Sequence, residues 1–594
     1  MKPLLHFHSA TTLRSFLLHF SPTPTFLRRT PPAPLLSFSS TSSLHPNTRP
    51  EPPLIRRITM GTTPPPQQQQ PPPLQEAGAV TARVVQVKES IEITETERKI
   101  FDRLLNTLRH FNLQTELRVA GGWVRDKLLG KDCYDIDIAI DNMLGSEFVD
   151  KVAEYLKTTG EEVKGVGVIA RNPDQSKHLE TARIRLFDLW IDFVNLRCED
   201  YSENSRIPTM KFGTAEEDAY RRDLTINSLF YNINTSSVED LTGRGIEDLK
   251  SGKIETPLPP KETFLDDPLR VLRAIRFGAR FEFELDEQLK NAAASDDVKC
   301  ALGAKVSKER IGTEIDLMIS GNQPAKAMTY IADLTLFWVV FGLPPKYEPE
   351  VSEECYRLCV AYLDAAWSLI QSIGSSSFTD EQRRLALYAA LFLPLRDTVY
   401  TDDKRKENHV VNFIFKDALK RKASDPETVI RMHRKLKEFV TLIPLLTSEE
   451  DIQSADIEWD MDFDVPTTSK LRVFAGFLLR EIKDFWRVAL LISTMLYPTN
   501  TSSTQFFLDK QFQLDERRDL FKAVEDAIIK LGLEKIWDVK PLVNGKDIMS
   551  ILQLSGRDIG KWQRNVLAWQ LAHPAGTTEE CLDWMRHSKR AKLE

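Results

Sequence analysis

An α+β head followed by a long all-helical region is the fold class this sequence predicts, on three observations. Residues 118–137 read RVAGGWVRDKLLGKDCYDID: a short apolar strand, a glycine pair, a helix start and the opening of a second strand. Residues 178–186 and 189–196 are two further strand-like runs joined by a tight turn at Phe187-Asp188. From about residue 325 onward apolar residues recur mainly at helical spacing, in 328–340, 355–373, 380–393, 429–441, 469–479, 483–496 and 516–531, while 397–425 and 497–506 read as loops.

At 594 residues the chain is long enough for several domains, and 42% hydrophobic with 28% charged residues is the balance of a globular protein. The net charge of −7 argues mildly against a nucleic-acid partner, although a local basic face inside an acidic whole still permits one. Six scattered cysteines include one close pair, Cys355 and Cys359, with no second pair to complete a zinc set, so they read as reduced structural thiols. No apolar run approaches a membrane span.

In chain order, residues 1–59 hold no acid before Glu51 but carry Lys2, Arg14, Arg28, Arg29, Arg49, Arg56 and Arg57 among Ser, Thr and Pro. That is the composition of an organelle transit peptide, with a disordered basic tail as the alternative. Met60 offers a second start. Residues 60–83 form a Pro/Gln linker. Ordered structure is expected from about Val84, and residues 91–111 carry apolar positions at helical spacing up to Phe111.

Next comes the stretch on which the rest depends. On a strand, residues i and i+2 share a face, so Asp135 and Asp137 project side by side with Cα atoms about 6–7 Å apart. Two such carboxylates repel unless a cation joins them, and Mg²⁺ suits one or two carboxylates plus phosphates and waters. Gly121 and Gly122 sit where strand gives way to helix, a place for phosphate on backbone N–H groups. A helix over 146–158 and a strand over 163–170 follow. Asp192, inside the apolar strand WIDFVNLR, is the candidate third carboxylate, since an acid there is costly without a partner; a surface-facing edge acid is the alternative. Glu180 is a weaker candidate.

Thr214 and Glu217 form a capping box that starts a helix, and RRDLTINSLFYN follows it. Its adjacent arginines, Arg221 and Arg222, suit phosphate. Residues 238–249, with Gly243 and Gly245, read alone as an ordinary loop. In FLDDPLRVLRAIRFGAR (264–280) Asp266 is the expected N-cap and Pro268 fits the first helical turn. Arg270, Arg273, Arg276 and Arg280 line one face with no acid among them, which calls for phosphate or nucleobase. A carboxylate paired with a guanidinium on such a helix can accept from the exocyclic amine and donate to the ring edge of cytosine or adenine, and rejects uracil and guanine. VSKERIGTEIDLMIS (306–320) reads as a supporting helix whose Ser307, Glu309, Arg310 and Glu314 provide polar packing between helices.

Taken in order, RVAGGWVRDKLLGKDCYDID, RRDLTINSLFYN (against RRDFTINA), VEDLTGRGIEDL, DDPLR (against EDxxR) and VSKERIGTEIDLMIS resemble the five signatures of the class II tRNA nucleotidyltransferases, the CCA-adding enzymes, and of the related bacterial poly(A) polymerases. The presequence suggests a eukaryotic, plant-like organelle form. The likeness is good over 84–330 and rests on architecture alone beyond. It implies a polymerase-β-like nucleotidyltransferase sheet in a head at 84–240, a neck with a base-selecting helix at 241–325, a helical body at 326–468 and a tRNA-binding helical tail at 469–594. It implies Mg²⁺ on Asp135 and Asp137 with help from Asp192. Gly121, Gly122, Arg125 and Arg222 then bind phosphate or ribose, Asp223 and Asn227 shape the ribose side, Asp267 and Arg270 choose the base, and Arg273 and Arg276 orient the helix or touch the nucleotide. Asp266 in place of the usual Glu puts only its own contact in doubt. The implied reaction adds C, C and A to the 3′ end of tRNA from CTP and ATP, by a monomer without membrane association. Basic clusters at 404–406, 420–422 and 588–592 are candidate phosphate contacts. The long form is expected in mitochondrion and plastid, and the form from Met60 in cytoplasm or nucleus. A poly(A) polymerase on the same scaffold and a non-catalytic RNA-binding protein are the competing readings.

Overall fold

The computed structural model describes residues 85–169, 181–200, 209–447, 467–498, 513–553 and 556–591. The presequence, the Pro/Gln linker, Glu180 with the start of its strand, most of the 497–506 loop and the last residues of the C-terminal basic cluster lie outside them.

Helix α1 (Glu95–His110) starts at a capping box between Thr94 and Glu97 and ends in Arg109 and His110, which complement the helix dipole. The same Glu97 is buried and also accepts from Trp123 Nε1 (3.0 Å) and Lys127 Nζ (2.8 Å), tying α1 to α2 (Gly122–Leu128). Strands β1 (Leu117–Ala120), β2 (Ile136–Ile140), β3 (Lys164–Ile169), β4 (Thr181–Leu186) and β5 (Leu189–Asn195) follow, with α3 (Gly145–Thr158) between β2 and β3. Strands β6 (Arg197–Asp200) and β7 (Thr209–Phe212) form a separate ribbon leading to α4 (Ala215–Tyr220). Strands β8 (Phe230–Asn232) and β9 (Ser237–Glu239) return to the main sheet, whose order is β3-β4-β5-β2-β1-β8-β9. Only β2 and β5 run parallel, so the sheet is mixed.

One face of this sheet is core. Ile136, Ile138, Ile140, Ile184, Ile191 and Phe193 are buried on it, and Phe148 of α3 meets Phe193 with ring centroids 5.4 Å apart. Period two then sends Asp137, Arg183 and Asp192 to the opposite face. The β4–β5 hairpin closes through Phe187 (φ 46°) and Asp188 (φ 68°), the left-handed pair that suits a right-twisted two-residue turn.

Helix α5 (Gly245–Ser251) replaces the second half of the loop expected at 238–249; Asp240 holds its first turn by accepting from the Ile246 N–H (2.9 Å). Then come α6 (Pro260–Asp266), α7 (Leu269–Phe281), α8 (Glu287–Ala293), α9 (Asp296–Lys305) and α10 (Lys308–Ile319). The Asp266 cap is a correction: Asp266 is the last residue of α6 and Pro268 takes the N-cap position of α7. Asp267 does the capping, its Oδ1 accepting from the Leu269 N–H at 3.3 Å.

The remaining chain is helical, as expected, with two corrections. The expected 328–340 helix is two, Pro324–Asp333 and Phe337–Val340, parted at Thr335, whose φ of 56° no helix continues. Residues 397–425 are not loop. They hold a hairpin of Val399–Thr401 with Glu407–His409, a helical turn from Val410 that widens into a π-turn at Ile414–Ala418, and the start of the Ser424–Thr447 helix. Strands of three residues are too short to show a period, yet Val410, Val411, Ile414 and Phe415 are fully buried. No helix among the described residues is long and apolar enough to cross a membrane.

His433 gives this region a defined pH response. It lies buried in the Ser424–Thr447 helix, donates Nε2–H to the Ala389 carbonyl (2.8 Å), and leaves Nδ1 buried without a partner. Desolvation pushes it down to about 4. The folded chain thus keeps it neutral where the unfolded chain protonates it. Its contribution is complete above the unfolded value of about 6.5 and is lost as pH falls toward 4. His433→Gln is expected to flatten the stability loss between these limits by on the order of 1–3 kcal/mol, measured by urea unfolding at several pH values.

Candidate active site

Parallel pairing of β2 with β5 sets Asp137 level with Asp192, and the β4–β5 hairpin sets Arg183 level with Asp192 from the other side. The strand expected to carry both aspartates begins only at Ile136, a correction that leaves Asp135 exposed immediately before β2. The three carboxylates crowd one patch: burial first, then the charges of Asp135 and Asp192, push the Asp137 acid up to about 6. Asp192 is held by Arg183, whose Nε and Nη2 each donate to one carboxylate oxygen at 2.9 Å. Among the described residues no three His, Cys, Asp or Glu side chains form a ready-made metal cage. Two mutually repelling carboxylates are a pair of oxygen donors that Mg²⁺ takes together with a triphosphate and waters.

Beside them, β1 ends in the glycine turn. Gly121 has φ 65°, and a Cβ on it would meet Arg222 Nη1 at 2.8 Å and the Asn227 carbonyl oxygen at 3.0 Å. Glycine there lets the Arg222 guanidinium lie against the turn. Arg222 donates Nε (3.0 Å) and Nη2 (2.8 Å) to Asp218 Oδ2 and Nη1 (3.3 Å) to the Asn227 carbonyl, and it lies over the Phe230 ring. Asp218 also accepts from Arg221 and from the Arg197 N–H. Although Asp218 is buried, Arg222 and Arg221 hold its carboxyl below the usual range. Arg125 is buried too: it pairs with Asp126, donates to Asn227 Oδ1, and lies over Phe277 and Phe281. Gly122 is its neighbour, with Arg125 Nη2 3.6 Å from where a Cβ would stand.

Helix α7 is keyed into this turn. Arg270 Nη2 donates to the Arg221 carbonyl at 2.7 Å and stands 3.7 Å from Glu199. Arg273 Nε and Nη2 both lie 2.7 Å from Asp223 Oδ2, while Asp223 Oδ1 accepts from the Asn227 amide (3.1 Å) and the Leu224 N–H (2.9 Å). Against its own desolvation, Arg273, Asn227 and Arg270 bring Asp223 down to about 2. Arg276 donates to Glu314 at 2.6 Å, and Arg280 stands 3.7 Å from Asp126. The arginine stripe therefore meets acids after all. They come from other elements, which the spacing within α7 does not display. Asp267 receives Arg310 of α10 at 3.1 Å on Oδ2 and 3.5 Å on Oδ1. The supporting role expected for α10 is thus carried by Arg310 and Glu314. Of the basic clusters, 420–422 is occupied within the chain: Arg421 with Asp316, Lys422 with Glu381, Lys420 with Asp417.

Three residues at this site escape a reading of motifs alone: Arg183, Asp218 and Glu199. Hairpin counting would have found the first, because a turn at 187–188 makes partners sum to 375, as 183 and 192 do. Helical spacing would have found Asp218, three and four residues before Arg221 and Arg222. Nothing local announces Glu199. Asp218→Asn removes the charge that orients Arg222, and it is expected to raise the KM for nucleotide about 5- to 10-fold, in line with losing a charge-assisted bond of ~1–1.5 kcal/mol, with a smaller effect on kcat. Initial rates over a nucleotide titration check it.

A glycine turn with an arginine beside it, paired carboxylates on the open face of a mixed sheet, and a helix with an Asp–Arg pair at its start define a nucleotidyltransferase. Residues 117–255 match the Poly A polymerase head domain. The chain belongs to the tRNA nucleotidyltransferase family. It is 33% identical to a tRNA nucleotidyltransferase of Schizosaccharomyces pombe over 84% of this chain and 99% of the relative. It is likewise 33% identical to the mitochondrial CCA tRNA nucleotidyltransferase of Candida glabrata over 85% and 97%. Among solved structures, a CCA-adding enzyme in its apo form aligns with TM-score 0.55 at 21% identity over 84% of this chain and 96% of that one. The Bacillus stearothermophilus CCA-adding enzyme in complex with CTP aligns with TM-score 0.54 at 17% identity over 84% and 99%.

Proposed function

We propose that this chain is a CCA tRNA nucleotidyltransferase, adding C, C and A to the 3′ end of tRNA from CTP and ATP without a nucleic-acid template. The RNA 3′-hydroxyl attacks the α-phosphorus, the bond to the bridging oxygen breaks, and pyrophosphate leaves. Asp135 and Asp137 would hold Mg²⁺, which when bound would neutralise charge on the triphosphate and acidify the attacking hydroxyl. Asp192, tethered by Arg183, adds negative charge beside them. Gly121, Gly122 and Arg222 receive phosphate, and Arg125 braces the turn through Asn227. Asp223 and Asn227 fix the ribose side, Arg273 and Arg276 fix α7, and Asp267 with Arg270 select the base. The observation that carries this reading is the 2.7 Å bond from Arg270 to the Arg221 carbonyl, which joins the base-selecting helix to the phosphate turn. The enzyme acts as a monomer. The long form serves mitochondria, as the name of the Candida glabrata relative suggests, and plastids; the form from Met60 serves cytoplasm or nucleus.

Incubation of the full-length protein with tRNA lacking its 3′ end, Mg²⁺ and labelled nucleotides tests the activity. Two additions with CTP, and a final A only when ATP is also present, are expected. A long A ladder with ATP alone would mean a poly(A) polymerase.

A further inference from the structure

We infer that Trp190 and Arg183 form a stacking platform for the last base of the RNA acceptor, on the flank of the carboxylates opposite the nucleotide. The inference rests on the proposed transfer to an RNA 3′ end. Trp190 lies two residues before Asp192 on the same face of β5, about 6–7 Å away along the strand. The β2–β5 register pairs Ile136 with Ile191, so one step further Trp190 stands level with Asp135. Trp190 is 44% exposed, a large apolar side chain left partly open beside three acids. Arg183, already bound to Asp192, lies over the Trp190 ring with Cζ 5.2 Å from its centroid.

The edge strand is shaped to admit this pair. A Cβ on Gly165, which has φ 58°, would stand 2.7 Å from Trp190 Cη2, and one on Gly167 would stand 3.5 Å from Arg183 Cγ. Two glycines at i and i+2 thus clear one face of β3 for the two large side chains, and the ring lies on backbone.

Chemistry assigns the occupant. The order β4-β5-β2-β1-β8 puts Arg183 and Trp190 on one side of Asp137 and the Gly121 turn on the other. In phosphoryl and nucleotidyl displacement the attacking and leaving oxygens lie roughly in line. With the triphosphate at the Gly121–Arg222 side, the attacking 3′-hydroxyl enters from the Trp190 side. Unpaired RNA ends are held by aromatic and arginine planes, and stacking accepts every base because each has a π face. That tolerance is what successive additions require, since the terminal base changes after each one.

The test uses the full-length protein with tRNA lacking its CCA end, and a second tRNA carrying 2-aminopurine as its last base. Trp190→Ala is expected to raise the KM for tRNA about 5- to 140-fold, the equivalent of ~1–3 kcal/mol per stacked base. It should leave the KM for CTP unchanged and abolish the quenching of 2-aminopurine seen on binding wild type. Trp190→Phe should restore most of both. Trp190→Leu keeps apolar bulk over Gly165 without a π face and should behave as the Ala variant, which guards against misfolding of the latter. Unchanged tRNA KM and quenching in the Ala and Leu variants would overturn the platform, as would a rise in the CTP KM shared equally by all three. Wild type that fails to extend the tRNA at all would overturn the proposed function, and the platform with it.

Discussion

Asp137→Asn is expected to lower nucleotide incorporation by on the order of 10³-fold or more while leaving tRNA binding intact. The amide keeps the shape of the side chain and removes the charge that a cation needs. A filter-binding assay beside the extension assay separates the two effects. The same variant should melt higher than wild type in Mg²⁺-free buffer at pH 7–8. Burial and the charges of Asp135 and Asp192 raise the Asp137 acid to about 6, above its ordinary 3.8. A carboxyl raised by folding opposes folding where it is ionised, and the opposition fades as pH falls through the folded value. The stability gain of the Asn variant is therefore present above pH 6 and shrinks toward pH 4. Full activity in Asp137→Asn, or a lower melting point at pH 7.5 without metal, would remove Asp137 from the metal site.

The parts of this site that could be read in the sequence are those whose geometry is local. Asp137 on β2 and the Thr214–Glu217 capping box are placed by strand and helix periodicity without further information, whereas Asp135 falls one residue before β2 and outside the strand expected to carry it. The Phe187-Asp188 turn was legible for the same reason, because two adjacent left-handed residues fix a hairpin register. What sequence could not supply were partners brought together by tertiary packing. The acid that meets Arg273 lies 50 residues away at Asp223, and the one that meets Arg276 lies 38 away at Glu314. Read alone, α7 therefore carries an unneutralised stripe; read in the fold, its four arginines meet acids of four other parts of the chain. The Asp266 cap failed on a finer scale. Pro268 takes the N-cap position itself, which hands the first free N–H groups to the residue just before it. The three-residue strands near 400 were invisible because burial without periodicity leaves no pattern to count.

Substitution of Asp267 should separate base choice from catalysis. Its Oδ1 caps Leu269 and both oxygens meet Arg310. A carboxylate offers about four lone-pair positions, so capacity remains for the exocyclic amine of cytosine or adenine. Asp267→Asn keeps the cap through its carbonyl oxygen and turns an NH₂ toward the position where uracil presents O4. The preference for CTP over UTP is therefore expected to fall about 5- to 140-fold, the equivalent of ~1–3 kcal/mol for an unpaired buried contact, measured as the ratio of kcat/KM values. Arg310→Ala leaves the carboxylate in place but frees it to turn, so its expected signature is a milder loss of selectivity without gain of UTP use. If Asp267→Asn keeps wild-type discrimination while Arg310→Ala loses it, base choice resides in the guanidinium of α10 and not in the first turn of α7. If both keep it, Asp267 serves only as the cap of α7, and the selection falls to Arg270 and the walls around it.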